Sequence, residues 1–499
     1  MMMARGMTAT AGGNELETPE RWGKLHLLAL AALLLRLAVA WWSVRITHPD
    51  ELFQYLEQAH RLVYGYGVVP WEFRFAARNW LLPGSLALLL EGLRAMGLDR
   101  PMAYIPALKS LFGLVSVCLI YASYSIGRNM FGERTGRLAA VLAAIWYELL
   151  YVATVATPEV LSTYALVGAV AVVTARSSTR RAAIIGLLLG ISVALRLQYA
   201  LPAAALWILV VVKWQWRCAW FAAGTAAAVI GFAGLIDYWS WGTAFISYYN
   251  SVNFNVLLGK ADVFGRRPPY AYLFWLGAAS VGLHLLAIGY GALQWRRCWP
   301  ILLLLVCVLV PHSLIAHKEY RFVILAVPLL LILWADALVN GLHWLRPTFG
   351  GPRTLGAIIA TVATLSVAGC VLRGVFSRDD RLLATLDLSR RSDVAAVLDL
   401  SGFWFRSGGC YFLHHDVPLY FEPQITAEPL SAVRSLVSHV LVPVTHATIP
   451  GFRVSARYGS IAILEQVAPP PLYRRLAADG REPREPGLEG GSAPRPQPK

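Results

Sequence analysis

Charge is what this sequence has least of. Only 15% of its 499 residues are Asp, Glu, Lys or Arg against 57% hydrophobic, and the mean hydropathy is +0.53. Soluble domains carry about a quarter charged residues, so the balance excludes a soluble globular chain and leaves a polytopic membrane protein. Cysteine is also scarce. Five of the six, Cys118, Cys218, Cys298, Cys307 and Cys370, lie in or beside apolar stretches, and Cys410 stands alone further on. There is no Cys-x-x-Cys and no His/Cys ligand spacing, so neither a disulfide framework nor a structural zinc site is supported. Acidic residues are fewer than basic ones, giving a net charge of +15. In a soluble chain that would point to nucleic acid; here the basic residues sit in short clusters between apolar stretches, as cytoplasmic loops do, and no nucleic-acid module is present.

What the chain has is long apolar runs. They are Leu25–Ser43, Tyr104–Gly127, Leu138–Ala153, Glu159–Ala175, Ala182–Gln198, Leu201–Val212, Ala219–Ile236, Tyr272–Leu293, Ile301–Ala316, Phe322–Leu345 and Leu355–Leu372. Several fall short of the roughly 20 residues a bilayer needs. The clusters Arg128–Arg137, Arg176–Arg181, Lys213–Arg217, Arg296–Arg297 and Arg346–Arg353 are mutually consistent as cytoplasmic loops. One stretch, Leu81–Gly97, is apolar enough to cross but would break this parity; with Pro83, Gly84, Glu91 and Arg94 it reads as an interfacial helix. The expectation is about eleven transmembrane helices, N-terminus inside and C-terminus outside. Residues 1–24 form a cytoplasmic segment, 25–373 the membrane region with a first outer loop at 44–103, 374–477 a small α/β domain, and 478–499 a disordered tail. Strands are expected at Tyr411–His415, His439–Val444 and Phe452–Val467.

The polar exceptions gather at the first membrane exit. His48-Pro49-Asp50-Glu51 opens a helix in which Pro49 suits the first turn and Thr47 the cap, and Asp50, Gln54, Glu57 and Arg61 recur on one face. Acids near a helix N-terminus also complement its dipole, with no function required. Three more polar clusters are assigned to the same side: Thr157-Pro158-Glu159, Asp237 with the segment Tyr248–Pro269, and His317-Lys318-Glu319-Tyr320-Arg321. Arginine and lysine at a membrane surface suit a lipid phosphate, and a carboxylate suits removal of a proton from an attacking hydroxyl. A phosphate-linked donor and a hydroxyl acceptor together describe glycosyl transfer.

The run His48 to Gly67 (HPDExFQxxExAHRxVxGYG), continuing to Trp71-Glu72, resembles the first lumenal loop of glycosyltransferase family 22. The likeness recurs in order at Arg78–Pro83, at Thr157-Pro158-Glu159, at Asp237–Gly242, at Asn253–Val256, at Pro269–Tyr272 and at His317–Phe322, where the family has H-K-E-x-R-F. The chain departs from the family at Arg196-Leu197-Gln198, where Arg-Pro-Thr is usual, and at Pro268-Pro269-Tyr270, where His-Pro-Trp is usual.

The resemblance implies a GT-C fold and a polyprenyl- or dolichyl-phosphate mannose donor. It places Asp50 beside the acceptor hydroxyl as general base, with Glu51 second; a role only in orienting the acceptor or a cation stays open. It assigns His317, Lys318 and Arg321 to the donor phosphate with Glu319 as their partner, the alternative being an ion-pair cluster that caps the next helix. His48, Gln54, Glu57, Trp71, Glu72, Arg78, Glu159, Arg196, Asp237, Asn253 and Tyr270 complete the substrate-binding set. No cofactor is required, a divalent cation being left open, and His414-His415-Asp416 reads as a surface loop despite its ligand types. The expected function is mannosyl transfer to a hydroxyl of a lipid-linked or glycan acceptor, on the periplasmic or lumenal face of a bacterial inner membrane or ER membrane. The alternatives are transfer of arabinose or glucose by the same fold, and a lipid-sugar flippase. A transporter should show internal repeats and mid-membrane charges.

Overall fold

The computed structural model describes residues 19–344, 352–402, 407–421 and 437–467. Among the described residues, each of the apolar stretches falls mainly on helix. Trp22–Trp42, Pro101–Phe131, Trp216–Trp241 and Trp295–Leu314 are long and apolar enough to cross a membrane unaided. Pro158–Val173, Leu197–Lys213, Ala326–Gly341 and Gly356–Leu372 are apolar but shorter. The first helix begins at Pro19, so residues 19–24, assigned to the cytoplasmic segment ahead of the first span, are already helical; residues 1–18 lie outside the described residues, as does the tail expected at 478–499. The stretch Tyr272–Leu293 is not one helix. Ala271–Ala279 and Leu283–Leu293 meet at 112°. The break is at Ser280-Val281-Gly282, where Val281 and Gly282 take positive φ and the Ser280 hydroxyl accepts the His284 N–H at 2.8 Å.

Small residues let the helices approach closely. A methyl group on Gly186 would stand 2.2 Å from the Ala222 carbonyl oxygen, so the Thr179–Leu195 and Trp216–Trp241 helices meet backbone to backbone. Arg36, an interruption in the first apolar run, is 1% exposed and joins three helices. Its guanidinium donates to Ser116 Oγ at 2.8 Å and to the Ala32, Ala143 and Ala144 carbonyls. Those contacts explain how a cation can be buried there.

The segment 44–103, expected as the first outer loop, is mostly helical. Its first helix starts at Pro49, runs through a π-helical turn over Glu51–Leu56 and continues as α-helix over Glu57–Tyr64. Thr47 does not cap it. The Asp50 N–H instead donates to His48 Nδ1 at 3.2 Å, and the Thr47 N–H donates to Glu51. The doubtful stretch forms the helix Leu81–Ala95, which buries Leu82, Leu86 and Leu90 and leaves Leu88 exposed.

After the last apolar helix the chain forms a mixed sheet of β1 (Val397–Asp399), β2 (Leu419–Phe421), β3 (His439–Pro443), β4 (Phe452–Tyr458) and β5 (Ile461–Gln466). The order is β2-β1-β3-β5-β4, parallel from β2 to β3 and antiparallel beyond. The helix Asp380–Leu388, capped by the Asp379 carboxylate on the Arg381 and Leu382 N–H groups, covers one face of the sheet. Two of the expected strands are present, at β3 and the β4–β5 hairpin. The third, Tyr411–His415, is not a strand. Gly408 and Gly409 both take positive φ and start a helical turn over Gly409–Leu413. The turn is apolar because Tyr411 and Phe412 pack against Leu52, Phe53, Tyr104 and Leu108 of the membrane region.

Candidate active site

Four chain segments remote in sequence enclose one cavity of about 790 Å³. The first outer loop supplies His48, Asp50, Gln54, Trp71, Glu72 and Arg78. Arg196 comes from the end of the Thr179–Leu195 helix, Ser251 and Asn255 from the segment after Asp237, and His317, Glu319 and Arg321 from the turn between two apolar helices.

At one end is an ion network centred on Arg321. Its Nη2 meets Asp50 Oδ2 at 2.5 Å, its Nε meets Glu319 Oε2 at 2.5 Å, and its Nη1 lies 3.6 Å from Glu159. Arg196 shares Glu159 at 3.1 Å. His48 Nε2 reaches Glu319 at 3.1 Å, and His317 Nε2 reaches its other oxygen at 3.0 Å. Burial alone would push Asp50 up, but Arg321 and then His48 outweigh it and hold its carboxyl below the usual aspartate range. Burial also works against Glu319, and Arg321, His317 and His48 pull it far below the usual range. Arg321 stays charged despite burial because Asp50, Glu159 and Glu319 surround it.

Across the cavity is a less charged wall. Gln54 Nε2 donates to Glu72 at 2.6 Å, and Arg78 donates to Gln54 Oε1 at 2.7 Å and to Ser251 Oγ at 3.2 Å. Trp71 packs on Phe254 with tilted rings whose centroids are 4.3 Å apart. Asp237 buttresses this wall from behind, accepting from Asn79 at 2.6 Å and from the Ser247 hydroxyl at 2.7 Å.

Several expected site residues lie elsewhere. Glu51, expected as the second base, turns away from the cavity toward Arg45 and Lys109 and accepts the Thr47 and Ala156 N–H groups. Glu57 faces the Gly409–Leu413 turn because the π-helical turn adds a residue to the first turn and rotates the rest of the helix by about 100° from α-helical register. Lys318 donates to the Ile315 carbonyl, Tyr270 is 67% exposed, and neither they nor Asn253 line the cavity. His414 faces His60 at 3.1 Å, His415 Nε2 donates to the Leu388 carbonyl at 3.1 Å, and no group of three metal-ligating side chains occurs among the described residues.

Sequence reasoning missed two features of this region. Asn79, inside a motif that drew attention for its arginine, holds Asp237. Glu148, buried in an apolar stretch, accepts from Tyr320, from Trp146 Nε1 at 2.7 Å and pairs with His284 at 2.8 Å, so it anchors the turn that carries Glu319 and Arg321. A carboxylate inside an apolar run was the available signal.

An assembly of apolar helices with a polar, cation-rich cavity formed by their connecting loops is the architecture of GT-C membrane glycosyltransferases. The fold matches ArnT from Cupriavidus metallidurans with a TM-score of 0.57 over 89% of this chain and 98% of that one, at 12% identity; a structure of that protein bound to undecaprenyl phosphate matches equally well. Within that class the chain belongs to the Alg9-like mannosyltransferase family, glycosyltransferase family 22, whose model matches residues 27–380. It is similar to GPI mannosyltransferase 3 of Yarrowia lipolytica, with 25% identity over 83% of this chain and 79% of that protein. It is also similar to mannosyltransferase APTG1 of Arabidopsis thaliana, with 24% identity over 66% of this chain and 61% of that protein.

Proposed function

We propose that this integral membrane protein transfers mannose from a polyprenyl- or dolichyl-phosphate donor to a hydroxyl of a lipid-linked or glycan acceptor, on the periplasmic or lumenal face of its membrane. The observation that carries the reading is the 2.5 Å contact of Asp50 and Arg321 in the wall of the cavity. It brings a base and a phosphate-binding cation within reach of one sugar. Family membership supports mannose as the sugar. The lipid phosphate on the structural neighbour supports the donor class.

In this reading the acceptor oxygen attacks the anomeric carbon, the bond from that carbon to the donor phosphate oxygen breaks, and the acceptor proton passes to Asp50. The polyprenyl phosphate leaves with its charge held by Arg321 and Arg196, and the configuration inverts. A carboxylate held low by an arginine is a weak base. A donor phosphate that draws Arg321 toward itself raises the basicity of Asp50, which couples donor arrival to activation of the acceptor. Arg78, Arg196 and Arg321 supply the positive charge, so we assign no metal cofactor; transfer is expected to survive chelation, and loss on EDTA restored by a divalent cation would overturn that assignment.

The test is transfer by purified protein with a panel of polyprenyl-phosphate sugars. Mannosyl product is expected, with Asp50→Asn lowering kcat by about 10²–10⁴-fold. Product only from arabinose or glucose donors, or lipid movement across the bilayer without product, would refute the reading. About eleven crossings, an interfacial Leu81–Ala95 helix and a separate domain after residue 373 belong to the same proposal.

A further inference from the structure

Glu57 is fully buried and lines no part of the cavity, yet both its oxygens are occupied by backbone. The Val68 N–H donates to Oε1 at 2.8 Å, the Cys410 N–H to Oε1 at 3.0 Å and the Tyr411 N–H to Oε2 at 2.8 Å. Two glycines make the wrapping feasible. Gly409 has φ +57°, and a methyl group there would stand 2.7 Å from Glu57 Oε2; Gly67 has φ +151°, and a methyl group there would stand 2.5 Å from Arg61 Cγ. Only glycine meets both demands.

Other contacts reinforce the same junction. Tyr104 donates its hydroxyl to the Tyr411 carbonyl, His60 Nε2 meets His414 Nδ1 at 3.1 Å, and Gln58 donates to the Phe53 and Val68 carbonyls at 2.8 and 2.9 Å. Tyr411 and Phe412 share an apolar cluster with Leu52 and Phe53, close after Asp50 in the chain. The turn reaches no reacting atom, but it grips the helix whose first turn presents Asp50 and Gln54 to the cavity.

We propose that the Gly408–His414 segment, gripped by Glu57, sets the register of the Pro49–Tyr64 helix, so that Glu57 is a positioning residue for Asp50 and the chain after the last apolar helix is part of the catalytic unit. The proposal rests on the mannosyl-transfer reading for its kinetic consequence only.

Glu57→Gln is the sharpest variant, because its amide presents a donor to a backbone N–H that needs an acceptor. In full-length protein it is expected to lower kcat by about 10–100-fold while the donor KM stays within about 2-fold, as displacement of a reacting group does. Amide hydrogen exchange is expected to accelerate together at 408–414 and 50–56. Asp50→Asn should lower kcat by the same factor of about 10²–10⁴ and leave both segments as protected as in the parent. Should Glu57→Gln fail to insert, Tyr104→Phe removes one hydrogen bond to the same turn and should give the same joint signature at a few-fold size. Faster exchange at 408–414 with unchanged kcat, or lowered kcat with no change at 50–56, would overturn the proposal. Exchange is read without substrate, so a parent protein that transfers no mannose refutes the functional reading and leaves the coupling to be judged on its own.

Discussion

Arg321 decides more about this site than any other side chain. Its fork meets three carboxylates, Asp50, Glu319 and Glu159, at distances from 2.5 to 3.6 Å. A lysine has one compact ammonium and no fork, so it cannot hold all three. Arg321→Lys is therefore expected to keep the protein folded but lower kcat/KM by about 10²-fold, as loss of one preorganised donor does; steady-state kinetics with the mannosyl donor checks it, and near-parental values would remove Arg321 from the mechanism. This cluster was legible in the sequence because both motifs were specific and charged. Glu51 was not, since two adjacent carboxylates offer equal chemistry and only the backbone decides which one faces the cavity and which faces Arg45 and Lys109.

At the scale of the elements, the helices were legible because apolar runs of this length have few other folds in lipid. Their interruptions were not. The π-helical turn that rotates Glu57 away from Asp50 leaves no periodicity signal, and Val281 at positive φ is a β-branched residue where none would be expected. Gly408-Gly409 was readable as a turn, but the apolar residues after it suggested a strand, when they are apolar because they are packed against the first outer loop. That packing also has a pH signature. His60, enclosed by Tyr64, Tyr66, Tyr411 and His414, is pushed by burial and by His414 from 6.5 down to about 3. Between those values the unfolded chain binds the proton and the folded one does not, so stability falls as pH drops through this window. The loss attributable to His60 is about 2 kcal/mol at pH 5. Thermal unfolding of the parent is expected to shift downward from pH 7 to pH 5, and His60→Gln should flatten that slope; an equally steep variant would mean His60 is not the group responsible.

For the whole molecule, the orientation expected from the basic loops assigns four polar clusters to one side, and the structure gathers those four around or directly behind one cavity. Single cysteines at Arg266 and Ser455, in a background without the native thiols, are expected to react with an impermeant maleimide from the non-cytoplasmic side. One at Arg296 is expected to react only after permeabilisation. Labelling of Arg266 and Arg296 positions from the same side would invalidate the crossing count.

The Asp50–Arg321 pair is closed by residues 271 apart in the chain. A ribosome must therefore thread most of the bundle into the bilayer before the first loop meets its counter-charge. Until then Asp50 lacks the guanidinium contact that closes this end of the cavity. On the proposed mechanism, competence for transfer therefore comes only with a nearly complete bundle.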